Sequence, residues 1–155
     1  MIKTEAYGPQ IRGGEAAALL RLGTTPLESL DDSFDLLLAI DWQNVHRFAD
    51  EIPLHAGSVV IGDSDGGEVP PVFLASGAQS VVLPLKKMTK GMPGSWINML
   101  ALGLAGALAG LPATALEAAV RRSWKRPEAS LAANIKALHE GMAAATDIKG
   151  LTPLR

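Results

Sequence analysis

The sequence predicts an α/β fold: a three-layer open sheet, mostly parallel, with helices on both faces and a helical C-terminal third. Three observations carry that prediction. Stretches rich in Val, Ile or Leu recur at 34–40, 58–62 and 80–83, each short and bounded by Asp, Gly or Pro. Uninterrupted rather than alternating apolar character marks parallel strands buried on both faces. Helix-like pieces at 42–50 and 70–76 fall between them, so the order is strand, helix, strand, helix, strand, the connectivity of a βαβ domain. In the last third the apolar pattern takes helical spacing.

Taken in order, the chain first presents Tyr7-Gly8-Pro9-Gln10-Ile11-Arg12-Gly13-Gly14-Glu15. Gly8 and Pro9 set a tight turn, and Gly13-Gly14 permits positive φ and close approach of another backbone or a ligand. Arg12 offers a planar, permanently charged donor fork suited to phosphate or carboxylate. Composition alone would make this a surface turn with a solvated Arg. The run at 16–22 is rich in Ala and Leu, which favours a helix by propensity.

Toward the C-terminus, Ser95 is placed to cap a helix running through Leu111, whose Gly103, Gly106, Ala107 and Gly110 allow close approach to the sheet. Thr114-Ala115-Leu116-Glu117 fits a capping box for a second helix reaching about Trp124. Pro127 suits the first turn of a third, with Leu131, Ile135, Leu138 and Met142 on one stripe. Residues 1–149 read as a single domain and 150–155 as a tail or linker.

At 155 residues, 48% of them hydrophobic, the chain has the size and composition of one domain with its own core. Its net charge of −2, with acidic and basic residues interspersed, points away from nucleic acid and anionic membranes. Cysteine is absent, which excludes disulfides and thiolate ligation of zinc or iron–sulfur clusters by this chain. The longest uncharged apolar run, 99–111, is too short for a bilayer, which takes about 20 residues. A polar N-terminus carries no signal-peptide pattern, so the cytoplasm is the expected compartment.

Catalytic patterns are sparse. His46, His55 and His139 fall on separate elements without metal spacing, which suits structural or surface roles. The run Asp63-Ser64-Asp65-Gly66-Gly67-Glu68 faintly resembles a calcium loop but lacks its third ligand position and distant Glu, so a strand-end turn is the better reading. There is no Gly-x-Ser-x-Gly elbow, P-loop or intact dinucleotide fingerprint. Lys86, Lys87 and Lys90 follow the third predicted strand at its carboxyl end, where open α/β sheets place ligands. They are expected to attract phosphates of a nucleotide-like ligand, against the plainer reading of a solvated helix face. Trp42-Gln43-Asn44 follows the first predicted strand in the same way and could line the same crevice. Trp96 and Trp124 read as packing or interface anchors.

Three segments, in this order, carry a resemblance to a known family: Tyr7 to Gly14, the Asp-led strand Asp35-Leu36-Leu37-Leu38-Ala39-Ile40, and Asn98-Met99-Leu100-Ala101-Leu102-Gly103. Together they resemble the gamma subunit or domain of the 2-oxoacid:ferredoxin oxidoreductases, the pyruvate, 2-oxoglutarate and indolepyruvate group, from about Lys3 to Ala145. The resemblance implies that 16–22 is an antiparallel strand near the sheet edge rather than a helix. It also implies an upstream strand, Gly-rich turn and helix that this sequence does not show, as in a fragment, a late start or a separated gamma domain.

By that resemblance the chain is a component of a complex that oxidatively decarboxylates a 2-oxoacid on thiamine diphosphate and magnesium. Electrons leave through iron–sulfur clusters to ferredoxin, and coenzyme A takes the acyl group. Those cofactors are expected on partner alpha and beta subunits, in keeping with the absent Cys and with Gly62-Asp63-Ser64, which departs from the Gly-Asp-Gly of thiamine sites. Arg12, Gly13 and Gly14 are the expected contact to the partner's active centre or the coenzyme, with Lys86, Lys87 and Lys90 second. The isolated chain is expected to be inactive, and an incomplete sheet to drive docking or self-association. The competing class is a free-standing α/β binding module with no oxidoreductase partner.

Overall fold

In a computed structural model the chain is described over residues 2–7, 16–29, 33–47 and 49–148. Five strands and five helices follow in order: β1 (Ile2–Tyr7), β2 (Ala16–Arg21), β3 (Phe34–Ala39), β4 (Leu54–Asp63), α1 (Pro71–Leu74), β5 (Gln79–Leu83), α2 (Leu85–Lys90), α3 (Ile97–Leu108), α4 (Ala113–Ser123) and α5 (Glu128–Ala145). The parallel sheet has the order β3-β4-β5. The Ala/Leu run is a strand, as the family resemblance implied: β2 pairs antiparallel with β1, from Ile2↔Arg21 to Tyr7↔Ala16. The two form a separate two-stranded ladder rather than a hydrogen-bonded edge of the parallel sheet.

Both faces of the parallel sheet are covered. Side chains alternate along a strand, so Leu36, Leu38, Val59, Ile61, Val81 and Leu83 face one cluster with Leu85, Leu100, Leu104 and Ala137. Leu37, Ala39 and Val60 face the other, with Trp42, Val45, Ile52 and Phe73. Crossovers of one hand that step the same way across a sheet fall on one face. Both do here, because Trp42, Val45 and Ile52 come from the first connection and Phe73 from the second. The helical C-terminal third covers the opposite face. There α3 and α5 cross so closely that a Cβ on Gly103 would overlap the Leu138 carbonyl oxygen, and one on Gly141 that of Leu100. Leu116 and Val120 of α4 close the bundle against Leu131, Ile135 and Leu138 of α5.

Several boundaries depart from expectation. β4 begins at Leu54, not at 58, and its first half rests on side chains rather than strand propensity. Ser58 Oγ donates to Phe34 O at 2.7 Å and accepts from His55 N at 2.9 Å, while His55 Nε2 lies 3.2 Å from Asp35 Oδ1. The helix expected at 42–50 is two 3-10 turns, Val45–Arg47 and Ala49–Glu51. Asn44, at φ 60°, interrupts the helical path ahead of them. The helix at 70–76 shortens to one turn, α1.

The caps also differ. Trp96, not Ser95, precedes α3, and Ser95 Oγ bonds back to Met92 O at 2.7 Å. α4 starts after Pro112, so Thr114 lies inside the helix and caps nothing. α5 likewise starts after Pro127, which stands just outside its first turn.

Candidate functional site

The carboxyl ends of β3, β4 and β5 meet in a short network of backbone and charge. Ser64 N donates to Leu83 O at 2.8 Å and Trp42 N to Gly66 O at 3.2 Å, tying the three strand ends together. At the centre is Asp63, whose side chain is wholly buried. Its Oδ1 accepts from Lys86 N at 2.8 Å and its Oδ2 from Asp65 N at 3.2 Å. A buried carboxylate is tolerated only when hydrogen-bonded and paired. The pairing comes from Lys86, whose Nζ lies 3.6 Å from Asp63 Oδ2 and 3.7 Å from Asp41 Oδ2. Asp41 in turn accepts Gln43 N at 2.8 Å, the turn that leads out of β3.

Lys86 therefore bridges the ends of β3 and β4 as a charge. Both separations exceed hydrogen-bond length, so its three ammonium donors are not spent on the two carboxylates. Lys87 and Lys90, on the same short helix, are exposed and pair with no carboxylate among the described residues. The arrangement offers ammonium donors from Lys86, whose charge is offset by Asp41 and Asp63, and positive charge without such a counter-ion from Lys87 and Lys90.

Other expected site residues separate. Trp42 is core, not crevice lining: it packs on Phe73 with ring centroids 5.7 Å apart and lies against Gly62. Its Nε1 is buried without a partner among the described residues. Gln43 is exposed and Asn44 half-buried. The run Asp63 to Glu68 forms the turn that closes β4, with Gly66 N donating to Asp63 O at 2.9 Å. His46, His55 and His139 stay on separate elements, and His55 Nδ1 accepts Gly57 N at 3.0 Å. Arg12, Gly13 and Gly14 lie outside the described residues.

Sequence reasoning treated Asp63 as part of a strand-end turn and as a departure from a thiamine motif, and missed it as the anchor of the strand ends. An Asp directly after the apolar run 58–62, with Lys shortly beyond the next strand, was the available signal. No group of three or more His, Asp or Glu among the described residues could hold a metal ion, and the chain has no Cys. With no Cys, the chain supplies no thiolate ligand for an iron–sulfur cluster. No helix of the described residues is long and apolar enough to cross a membrane.

The pyruvate ferredoxin/flavodoxin oxidoreductase family matches residues 1–144. The chain belongs to that family. Among solved structures, the 2-oxoglutarate:ferredoxin oxidoreductase from Magnetococcus marinus, with 2-oxoglutarate, coenzyme A and succinyl-CoA bound, is similar over 99% of this chain at a TM-score of 0.78 and 25% identity. The match takes up 27% of that chain, so this sequence spans about a quarter of its relative's length. No curated protein sequence matches the chain. The structural likeness to that 2-oxoglutarate:ferredoxin oxidoreductase accords with the mixed α/β fold described above.

Proposed function

We propose that this chain is the gamma-type component of a thiamine-dependent 2-oxoacid:ferredoxin oxidoreductase, acting with partner subunits that carry the thiamine diphosphate and the iron–sulfur clusters. The observation behind the reading is the family match over residues 1–144, reinforced by likeness across nearly the whole chain to one part of a 2-oxoglutarate:ferredoxin oxidoreductase. The chain's role is to pack against the thiamine domains and shape the approach of coenzyme A. The Arg12-Gly13-Gly14 segment meets the coenzyme or the partner's active centre, the glycines allowing close approach and Arg12 supplying a donor fork. Lys86, Lys87 and Lys90 add longer-range attraction for the coenzyme's phosphates, weakened by salt.

Reconstitution tests the reading. Partner subunits and this chain are purified separately and assayed for coenzyme A-dependent dye reduction with a panel of 2-oxoacids. Activity is expected only when they are combined, and none from this chain alone. Arg12→Ala is expected to raise the apparent KM for coenzyme A or to weaken assembly. Full coenzyme-dependent activity of the partner subunits without this chain would defeat the proposal. If Arg12→Ala changes neither coenzyme affinity nor assembly, the site assignment fails even where the functional reading holds.

A further inference from the structure

The chain's charge is sorted more sharply than its net value suggests. Residues 1–68 hold twelve of the sixteen carboxylates and four of the fourteen basic side chains, and the remainder reverses that bias. The mixing expected from composition is therefore coarse. Within the basic part, Arg121-Arg122-Ser123-Trp124-Lys125-Arg126 ends α4 and leads to α5. Arg121 is neutralised by Glu117 at 2.7 Å, but Arg122 and Lys125 are exposed and pair with no carboxylate among the described residues.

Beside these cations stand two tryptophans. Trp96 stacks on Trp124 with ring centroids 5.6 Å apart and an interplanar angle of 28°. The Arg126 guanidinium lies 4.2 Å from the Trp96 ring centroid. Trp96 is still 37% exposed, although an indole of this size gains most by burial. Its position is fixed from beneath by Asn134, a wholly buried side chain on α5. Asn134 Oδ1 accepts Trp96 N at 3.0 Å, and Nδ2 donates to Gly94 O at 3.1 Å and Ser130 O at 2.8 Å. A buried polar group used to hold an exposed aromatic in place builds a pre-organised surface.

We propose that Trp96, Trp124 and Arg126, with Arg122 and Lys125 beside them, form the docking surface of this chain for an acidic face on another subunit of the same oxidoreductase. The inference rests on the proposed function for the partner's identity and on charge complementarity for its chemistry. Rigid Trp and Arg anchors are the residues that dominate interface energies, while unpaired flanking cations steer association and fix orientation.

The test titrates the full chain against the separately purified partner subunits at graded salt, reading affinity, association rate and tryptophan fluorescence. Trp96→Ala is expected to weaken binding about 30-fold, and Trp96→Phe to retain most of the affinity. Arg122→Glu combined with Lys125→Glu, both exposed, should slow association at least about 10-fold and flatten its salt dependence while leaving the melting temperature unchanged. Wild-type binding that none of these variants alters overturns the surface and leaves the proposed function standing. Absence of wild-type binding at any salt overturns both. Tighter binding to heparin or duplex DNA than to the subunits, with the same sensitivity to these variants, overturns the acidic-protein partner in favour of a polyanion.

Discussion

Replacing Gly103 by alanine should destabilise the protein even though alanine is the better helix former. The added Cβ would overlap the Leu138 carbonyl oxygen and stand 3.1 Å from Leu138 Cα. Both are backbone atoms of a fully buried helical residue, so no rotamer change can make room. The two helices must part, and the layer joining α3 and α5 to the sheet through Leu100, Leu104 and Ala137 opens with them. Overpacking costs about 1–3 kcal/mol, and the upper end applies where backbone must move. Better helix propensity returns about 1 kcal/mol, leaving a net loss of about 2 kcal/mol. At this chain length that corresponds to a fall of about 4–8 °C in melting temperature.

Glycines in other settings calibrate the claim. Gly141→Ala meets Leu100 O and Leu104 N and should behave like Gly103→Ala. Gly106→Ala meets only the Leu116 side chain, nearest at 2.6 Å, which can shift, so its loss should be smaller. Gly91, at φ −72°, faces nothing closer than Met88 O at 3.3 Å, and its alanine variant should stay near wild type. Urea and thermal unfolding of the four variants give the ranking. A Gly103→Ala protein as stable as wild type, or more stable, would refute the close crossing.

Four further substitutions probe separate polar contacts. Asp63→Asn keeps an acceptor for Lys86 N but removes the charge that balances its ammonium; with Lys86 about one-third exposed, the loss should be about 2 kcal/mol. Lys86→Met should cost a similar amount, and the double variant less than both together, as a urea double-mutant cycle would read. Arg121 first and His139 second hold the Glu117 carboxyl below its ordinary range. A depressed folded value gives stability that is present above the unfolded pKa of about 4.3 and is lost as pH falls through the folded value. Glu117→Gln should thus shallow the acid limb of a stability–pH profile, and coincident limbs would show that the contact contributes nothing. Asn134→Ala strips three hydrogen bonds from a buried site. It should cost about 2 kcal/mol or more and shift tryptophan emission as Trp96 loses its anchor.

What the sequence disclosed depended on how local the determining forces were. The cores of β3, β4 and β5 were legible because runs such as Val59-Val60-Ile61 satisfy both faces of a covered parallel sheet without further help. The first half of β4 was not, because His55-Ala56-Gly57 has no strand preference; Ser58 Oγ ties His55 N locally, and the contacts to Phe34 O and Asp35 that hold the segment to the sheet form only once β3 lies alongside. The caps expected at Ser95 and Thr114 missed, whereas Pro70 and Pro127 marked α1 and α5 to within a residue. α1, α2, α4 and α5 each follow a proline, with no side-chain cap bond. At α4 the ring-fixed φ of Pro112 sets the entry, so Thr114 advertises a cap the backbone does not use; α3 is entered through Trp96, and Ser95 spends its hydroxyl on Met92 O instead. α2, six residues opened by Pro84, carries too few turns to show a period.

The candidate site was half legible for a different reason. Open parallel sheets collect ligands at their carboxyl ends, and that geometry alone singled out Lys86. Its meaning changed when folding placed a wholly buried Asp63 beneath it. A lysine expected to act as free positive charge is instead half of a paired system that also fixes the end of β4. Its unspent donors remain available to a ligand, but its attraction for an anion is weakened by Asp41 and Asp63 at comparable distance. Lys87 and Lys90 carry no such counter-charge among the described residues. If phosphates are drawn to this edge, charge removal at Lys87 and Lys90 should reduce the salt-dependent part of coenzyme affinity, whereas Lys86→Met should act mainly through stability. Equal coenzyme effects from all three, with unchanged unfolding free energy for Lys86→Met, would reverse that division of roles.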